Sequence, residues 1–237
     1  MPLLEFGALI QIADPNGRRC MEAERRQVTI VFTDMAGFTT FSERSGEEAA
    51  FRLMQEVAKL TGDAVRREGG VVQGFTGDGV MAVFGAPKAF EDAPLRACRA
   101  ALGILDSIGG EANSFEATFG IRPQLRVGVN TGPAVLGEVQ GNAGGVTVMG
   151  DTVNVAARLQ TVAIPGTIFL TEATQKLVGG QINSEFVGEH QFKGKAETLK
   201  LYKLTGLRRD TTRFRSTGCA RPLAVRRARD RAPGLGA

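Results

Sequence analysis

The sequence predicts an α+β fold, a ferredoxin-like βαββαβ sandwich core with additional C-terminal strands and helices. Three observations carry that reading. Continuous apolar, β-branched runs at "QVTIVFTDM" (27–35), "VVQGF" (71–75), "VMAVFGAP" (80–87) and "QLRVGVNTG" (124–132) have the character of buried strands. Between them, apolar residues recur at helical spacing, first at Phe51, Met54, Val57, Leu60 and Ala64, then at Leu95, Cys98, Leu102 and Leu105. Glycine marks the joints, with Gly69-Gly70 stopping the first helix and Gly77-Asp78-Gly79 turning between two strands.

Each element follows in order. Residues 1–24 mix a short apolar piece with "DPNGRR" and read as a loosely ordered lead-in. The first strand spans 27–35 and the first helix 47–66. Past the 124–132 strand come "VTVM", the amphipathic "TVNVAARLQTVA", "TIFLT", a short helix at 172–178 and two closing strands near 183–193 and 198–204. One domain over 25–207 accounts for all of them. From Arg208 the periodicity vanishes, and 208–237 reads as a basic, disordered tail.

Composition narrows the chemistry. An apolar share of 43% and a charged share of 23% are those of a water-soluble globular protein. No apolar run has membrane length, and "MPLLEFGALI" is short, carries Glu5 and lacks a basic leader, so a cytoplasmic location is expected. The net charge of +4 is local in origin: residues 208–237 hold nine arginines and two aspartates, which leaves 1–207 at −3. That tail has competing readings as a disordered extension, an anion-binding patch or an altered C-terminus. It has no aromatic after Phe214, so no specific nucleic-acid partner is expected. Cys20, Cys98 and Cys219 have no metal-ligand spacing, and Cys98 falls on an apolar helix stripe. With His190 the only histidine, acid–base or metal chemistry must rest on carboxylates, which favours hard cations such as Mg2+ or Mn2+.

"GFTGDGVMAVFG" (74–85) is where such chemistry would begin. Taken alone, Asp78 between two glycines reads as a hairpin turn. In a ferredoxin-like sheet, however, the third strand lies between the first and second and runs antiparallel to both. The end of strand one, at Asp34, therefore sits beside the start of strand three, at Asp78. Two ionised carboxylates there repel by about 1–4 kcal/mol at near-surface dielectric. A divalent cation turns that repulsion into binding.

Five segments in order then resemble the catalytic domain of class III nucleotidyl cyclases. They are "RRQVTIVFTDMAGFTTFSE" (25–43), "FTGDGVMAVFGAP" (75–87), "LRVGVNTGPAVLGEV" (125–139), "VMGDTVNVAARLQ" (148–160) and "FKGKAE" (192–197). The resemblance implies that Asp34 and Asp78 hold two metal ions, Mg2+ or Mn2+, and that the backbone N–H groups of Ala36, Gly37 and Phe38 approach a triphosphate. It implies that Asn154 orients the ribose and that Arg158 neutralises the α-phosphate in the transition state. Lys193 matches a lysine that holds the terminal phosphates, with a solvated turn lysine as its competitor. Asp151 is the expected N-cap of the helix that carries Asn154 and Arg158. Because family sites are shared between two catalytic domains and this chain has both halves, a head-to-tail homodimer is implied.

The resemblance also assigns base choice to Gly74 and Thr147. Adenylate cyclases usually carry lysine at the first position, and guanylate cyclases glutamate. Gln73 could replace the missing lysine only if a bulge turned it to the face of Gly74. The expected activity is conversion of ATP to 3′,5′-cyclic AMP and pyrophosphate. A guanylate cyclase using GTP, or a silent nucleotide-binding dimerisation module, is the alternative. A diguanylate cyclase would need a Gly-Gly-[Asp/Glu]-Glu-Phe hairpin, and the turn here is Gly-Asp-Gly.

Overall fold

Strand β1 (Glu24–Met35) is hydrogen-bonded along both edges, antiparallel to β3 (Gly79–Phe84) on one side and to β4 (Leu125–Glu138) on the other. This computed structural model describes residues 23–138, 146–192 and 198–208. The lead-in before residue 23, Lys193 with the rest of its turn, and the tail beyond Arg208 lie outside the described residues. The other elements are α1 (Phe38–Ser45), α2 (Glu47–Arg67), β2 (Val71–Thr76), α3 (Ala93–Gly110), α4 (Ala112–Phe119), β5 (Val146–Met149), α5 (Asp151–Val162), β6 (Thr167–Thr171), α6 (Glu172–Val178), β7 (Ile182–Gln191) and β8 (Thr198–Leu207).

The eight strands form one sheet in the order β2-β3-β1-β4-β6-β8-β7, with β5 paired to β4. Its first four strands have the expected ferredoxin-like order, β3 lying between β1 and β2 and antiparallel to both. The C-terminal strands extend that sheet beyond β4: β6 joins β4 in parallel, and β8 and β7 continue antiparallel.

Alternation along β1 divides the core. Val31 and Met35 face α2 and α3 in the larger apolar cluster, where Leu53, Phe84 and Ile104 are also buried. Val28, Ile30 and Phe32 face the other side, with Ala156 of α5. Cys98 is fully buried in the larger cluster, and burial pushes its thiol up to about 12, as a packing residue requires.

Two helices escaped the sequence reading. Short α1 fills the turn after β1, and α4 extends α3 by a second segment. The N-cap assignment also needs correcting. Gly150 caps α5 and Asp151 is its first residue, so the carboxylate acts through the positive end of the helix rather than as the cap.

Helix α5 lies very close to β4 because Gly128 has no side chain. A Cβ at Gly128 would stand 2.5 Å from both the Ala156 carbonyl oxygen and the Gln160 amide nitrogen. Both obstacles are backbone, so a rotamer change cannot relieve them. Gly128→Ala should lower the midpoint of denaturant unfolding by about 1–3 kcal/mol in stability, with the slope unchanged.

Candidate active site

The sheet edge where β1 ends is fixed in register from both sides. Thr33 pairs with Val80, and the buried Thr33 hydroxyl accepts a hydrogen bond from the Val80 N–H at 3.1 Å. One residue further on β1 stands Asp34, and two residues before Val80 stands Asp78. Gly77, at φ 71°, supplies the left-handed turn that lifts Asp78 back toward β1. The two carboxyls come within hydrogen-bonding reach. The convergence expected from topology is therefore present in the fold.

Electrostatics register the strain of that meeting. The Asp34 carboxyl is held above the usual carboxylate range, first by burial and next by the negative charge of Asp78. Arg126, opposite Asp34 on β4, opposes the shift, with its Nη1 at 3.6 Å from the Asp34 carboxylate. Smaller contributions come from hydrogen bonds with Asp78, which raises it, and with Gln160 of α5, which lowers it.

Arg126 and Gln160 were not singled out from the sequence. Arg126 has a signal in hindsight, an arginine entering an otherwise apolar strand, and its Nε is buried without a hydrogen-bond partner. Gln160 had none beyond its place two residues after Arg158.

The pair fits a hard divalent cation. Both donors are carboxylate oxygens, and Asp34 is pushed toward protonation by burial and by the charge of Asp78, a deficit that a cation removes. Among the described residues no third His, Cys, Asp or Glu joins them. Such a two-carboxylate set leaves most coordination positions to water or to substrate phosphates, the usual arrangement for Mg2+.

The other predicted residues lie apart from this pair. Gly37, at φ 76°, is the N-cap of α1 and Phe38 its first residue. The Ala36 N–H is already committed to the Gln124 carbonyl at 2.9 Å, so its expected place in a phosphate cradle is withdrawn. Asn154 is exposed and Arg158 half-buried on α5. Gly74 is on outermost β2, whereas Thr147 is on β5, beyond β4. The sheet register shifts between Val72 and Gly74, which puts a bulge at Gln73. A cavity of about 530 Å3, lined by Thr29, Phe90, Leu95, Thr131 and Leu177 among others, does not include the aspartates.

Comparison with known proteins decides the family. The family model for the adenylate and guanylate cyclase catalytic domain matches residues 21–206. The chain belongs to that family. It is 34% identical over 191 residues to adenylate cyclase 1 of Rhizobium meliloti, covering 78% of this chain and 28% of that protein. To adenylate cyclase 2 of the same organism it is 29% identical over 202 residues, covering 79% of this chain and 52% of the relative. The chain thus spans about half or less of these relatives. Among solved structures, the adenylyl cyclase CyaB from P. aeruginosa superposes with a TM-score of 0.75 at 26% identity, over 80% of this chain and 99% of that one. The guanylyl cyclase Cya2 gives 0.73 at 25%, over 81% and 98%. The class III cyclase fold and domain are established by these matches.

The aspartate pair also makes a stability prediction. Since the folded-state pKa of Asp34 is raised, the folded chain binds more protons than the unfolded one between the two pKa values. Stability contributed by this group is therefore present at low pH and lost as pH rises through that interval. In chelator at pH 7, Asp34→Asn should melt higher than the parent, by about 2–4 °C for each kcal/mol relieved. Near pH 3 the difference should close. A lower melting temperature for the variant at pH 7 would show that the carboxylate stabilises the metal-free fold.

Proposed function

We propose that this domain is an adenylate cyclase, forming 3′,5′-cyclic AMP and pyrophosphate from ATP at sites shared across a head-to-tail homodimer. In that reaction the ribose 3′-oxygen loses its proton and bonds to the α-phosphorus, while the bond from the α-phosphorus to the bridging oxygen of pyrophosphate breaks. Asp34 and Asp78 would hold Mg2+ or Mn2+. When bound, the ions acidify the 3′-hydroxyl and neutralise the leaving pyrophosphate. The backbone N–H groups of Gly37 and Phe38, at the N-terminus of α1, suit phosphate oxygens. Lys193 is assigned to the terminal phosphates by the family pattern alone.

One observation carries the shared-site reading: α5 packs on β4 of its own chain with the Gln160 backbone against Gly128, so that side of the helix faces the chain's own sheet. At about 100° per residue, Arg158 points roughly 200° away from Gln160, while Asn154 and Arg158 lie only about 40° apart. Asn154 and Arg158 therefore belong together, on a face turned from the chain's own sheet, and a second copy is what that face would serve. Exposed apolar groups suited to self-association are present. Val135 and Met149 pair across β4 and β5, and Phe51 and Phe75 line a common groove.

Adenine is the proposed base, and the bulge at Gln73 offers a carboxamide that can both donate to and accept from its edge. Thr147 would contribute a hydroxyl from the other copy.

Asp78→Ala and Arg158→Ala chains, each inactive alone, should recover activity when mixed. Random assembly makes half of the dimers mixed, each with one intact site of two, so about a quarter of parental activity is expected. No recovery from folded, dimeric variants would overturn the shared site.

Parallel assays with Mn2+ and ATP or GTP test the base. Gln73→Ala should cut the ATP/GTP preference by about 10-fold. Gly74→Lys, which meets no atom within 4 Å of its new Cβ, should raise it. No cyclic product from either nucleotide would favour the silent-module reading.

A further inference from the structure

We infer that the cavity between β1, α3 and α6 is a binding site for a small uncharged molecule with an apolar body and a hydrogen-bond acceptor, separate from the aspartate pair.

The cavity holds about 530 Å3, within the range of small-molecule sites. It lies toward the opposite end of β1 from the aspartates, since roughly 17 Å of strand separates Thr29 from Asp34. Its walls are apolar, with Phe90 just before α3, Leu95 within it, and Leu177 and Val178 at the end of α6.

Its floor is polar. Thr29 and Thr131 pair across β1 and β4 and share a sheet face with Val31 and Val129 of the larger apolar cluster. Their hydroxyls lie 3.0 Å apart, and the residues are only 0% and 5% exposed. Two hydroxyls joined by one hydrogen bond have a proton to spare. If Thr131 donates to Thr29, the Thr29 proton is left over; if Thr29 donates, the Thr131 proton is. The Thr174 hydroxyl, 3.0 Å from Thr131, donates to it and takes no proton from it. Neither floor hydroxyl has another acceptor among the described residues. A buried donor without an acceptor is costly, and an acceptor on a ligand removes that cost.

Charges around the cavity cancel. Glu91 and Asp92 line it, and Asp92 is paired with Arg96 at 2.7 Å. Lys88 and Arg96 lie over the Phe90 ring, 5.4 and 4.5 Å from its centroid. Two acids and two bases leave no net charge to select an ion, which favours an uncharged occupant over a nucleotide.

The floor also continues into a buried polar chain. Thr174 lies 3.3 Å from the Thr171 hydroxyl, which donates to Asn130 Oδ1 at 2.7 Å. Asn130 Nδ2 in turn donates to the Thr152 carbonyl at 2.9 Å, in the first turn of α5 and two residues before Asn154. A ligand on the floor therefore bears on the start of α5. Only the bearing of that link on catalysis rests on the proposed cyclase reading; the cavity does not.

The probe is prodan, an uncharged naphthyl ketone whose emission moves to shorter wavelength on leaving water, titrated into the full chain. Binding should persist at saturating Mg2+ and a non-cyclisable ATP analogue. Thr131→Val, which removes a floor hydroxyl at nearly constant shape, should weaken it about 3- to 10-fold. Leu177→Ser, at a wall position 51% exposed where folding is not at stake, should weaken it about 5-fold. 1-Anilinonaphthalene-8-sulfonate, an anion with the same ring system, should displace prodan poorly, and efficient displacement would overturn the uncharged class. No emission shift with the parent, displacement by the ATP analogue, or parental affinity in both folded variants would overturn the site. Amide exchange in the first turn of α5 should slow at saturating prodan; unchanged exchange with prodan bound would overturn the link to α5 while the site stands. A chain that binds prodan yet forms no cyclic product counts against the proposed activity and not against the cavity.

Discussion

Two like charges held side by side are the constraint around which this domain is arranged. Asp34 ends β1 and Asp78 stands in the turn between β2 and β3, so the two are brought together by the sheet. Thr33 locks β1 to β3 through the Val80 amide, and β4 pins the other edge of β1 along its length. The apolar faces of β1 are buried on both sides, so the strand cannot slip to separate the acids without exposing core. Their repulsion is small beside the burial that enforces it. That difference is what lets a fold keep a locally unfavourable pair ready for a cation.

Helix α5 connects this edge to the other half of the proposed site. Its buried residues Thr152, Val155, Ala156 and Leu159 fix its rotation against the sheet. That rotation has two consequences. It sets the Gln160 backbone against β4 of the same chain, and it turns Asn154 and Arg158 elsewhere. In the proposed dimer one rigid helix would therefore pack on the sheet of its own chain and face the nucleotide of the site shared with its partner. The close approach at Gly128 matters for the same reason. Backbone contact sets the height of the helix above the sheet more tightly than flexible side chains could.

Much of this was legible in the chain, and what was missed has a physical cause. Strong periodicity revealed β1, α2, α3 and the first four strands, and their order implied which strand would lie between which. The meeting of Asp34 and Asp78 followed from that order alone. Short α1 and α4 have eight residues each, too few for an apolar stripe to emerge. Arg126 and Gln160 depend on register and on helix rotation, quantities set by tertiary packing and not by local pattern. The cap at Gly150 was misread because Asp is a frequent N-cap, while here the glycine's extended, positive-φ backbone begins the helix one residue earlier. The bulge at Gln73 was legible only as a condition, since glycine in a strand marks such irregularities without saying which neighbour is displaced.

Charge balance orders the events at such a site. Asp34, Asp78 and Arg126 together leave one net negative charge at the sheet edge, and a nucleoside triphosphate brings about four more. Without cations the two would repel, and Arg126 is already engaged with Asp34. Divalent ions reverse the balance because each can bind carboxylate and phosphate oxygens together. In the proposed reaction the pair would be a weak metal site on its own and a stronger one once phosphates complete the coordination. Nucleotide and metal would then bind cooperatively, because only the substrate completes the ligand set.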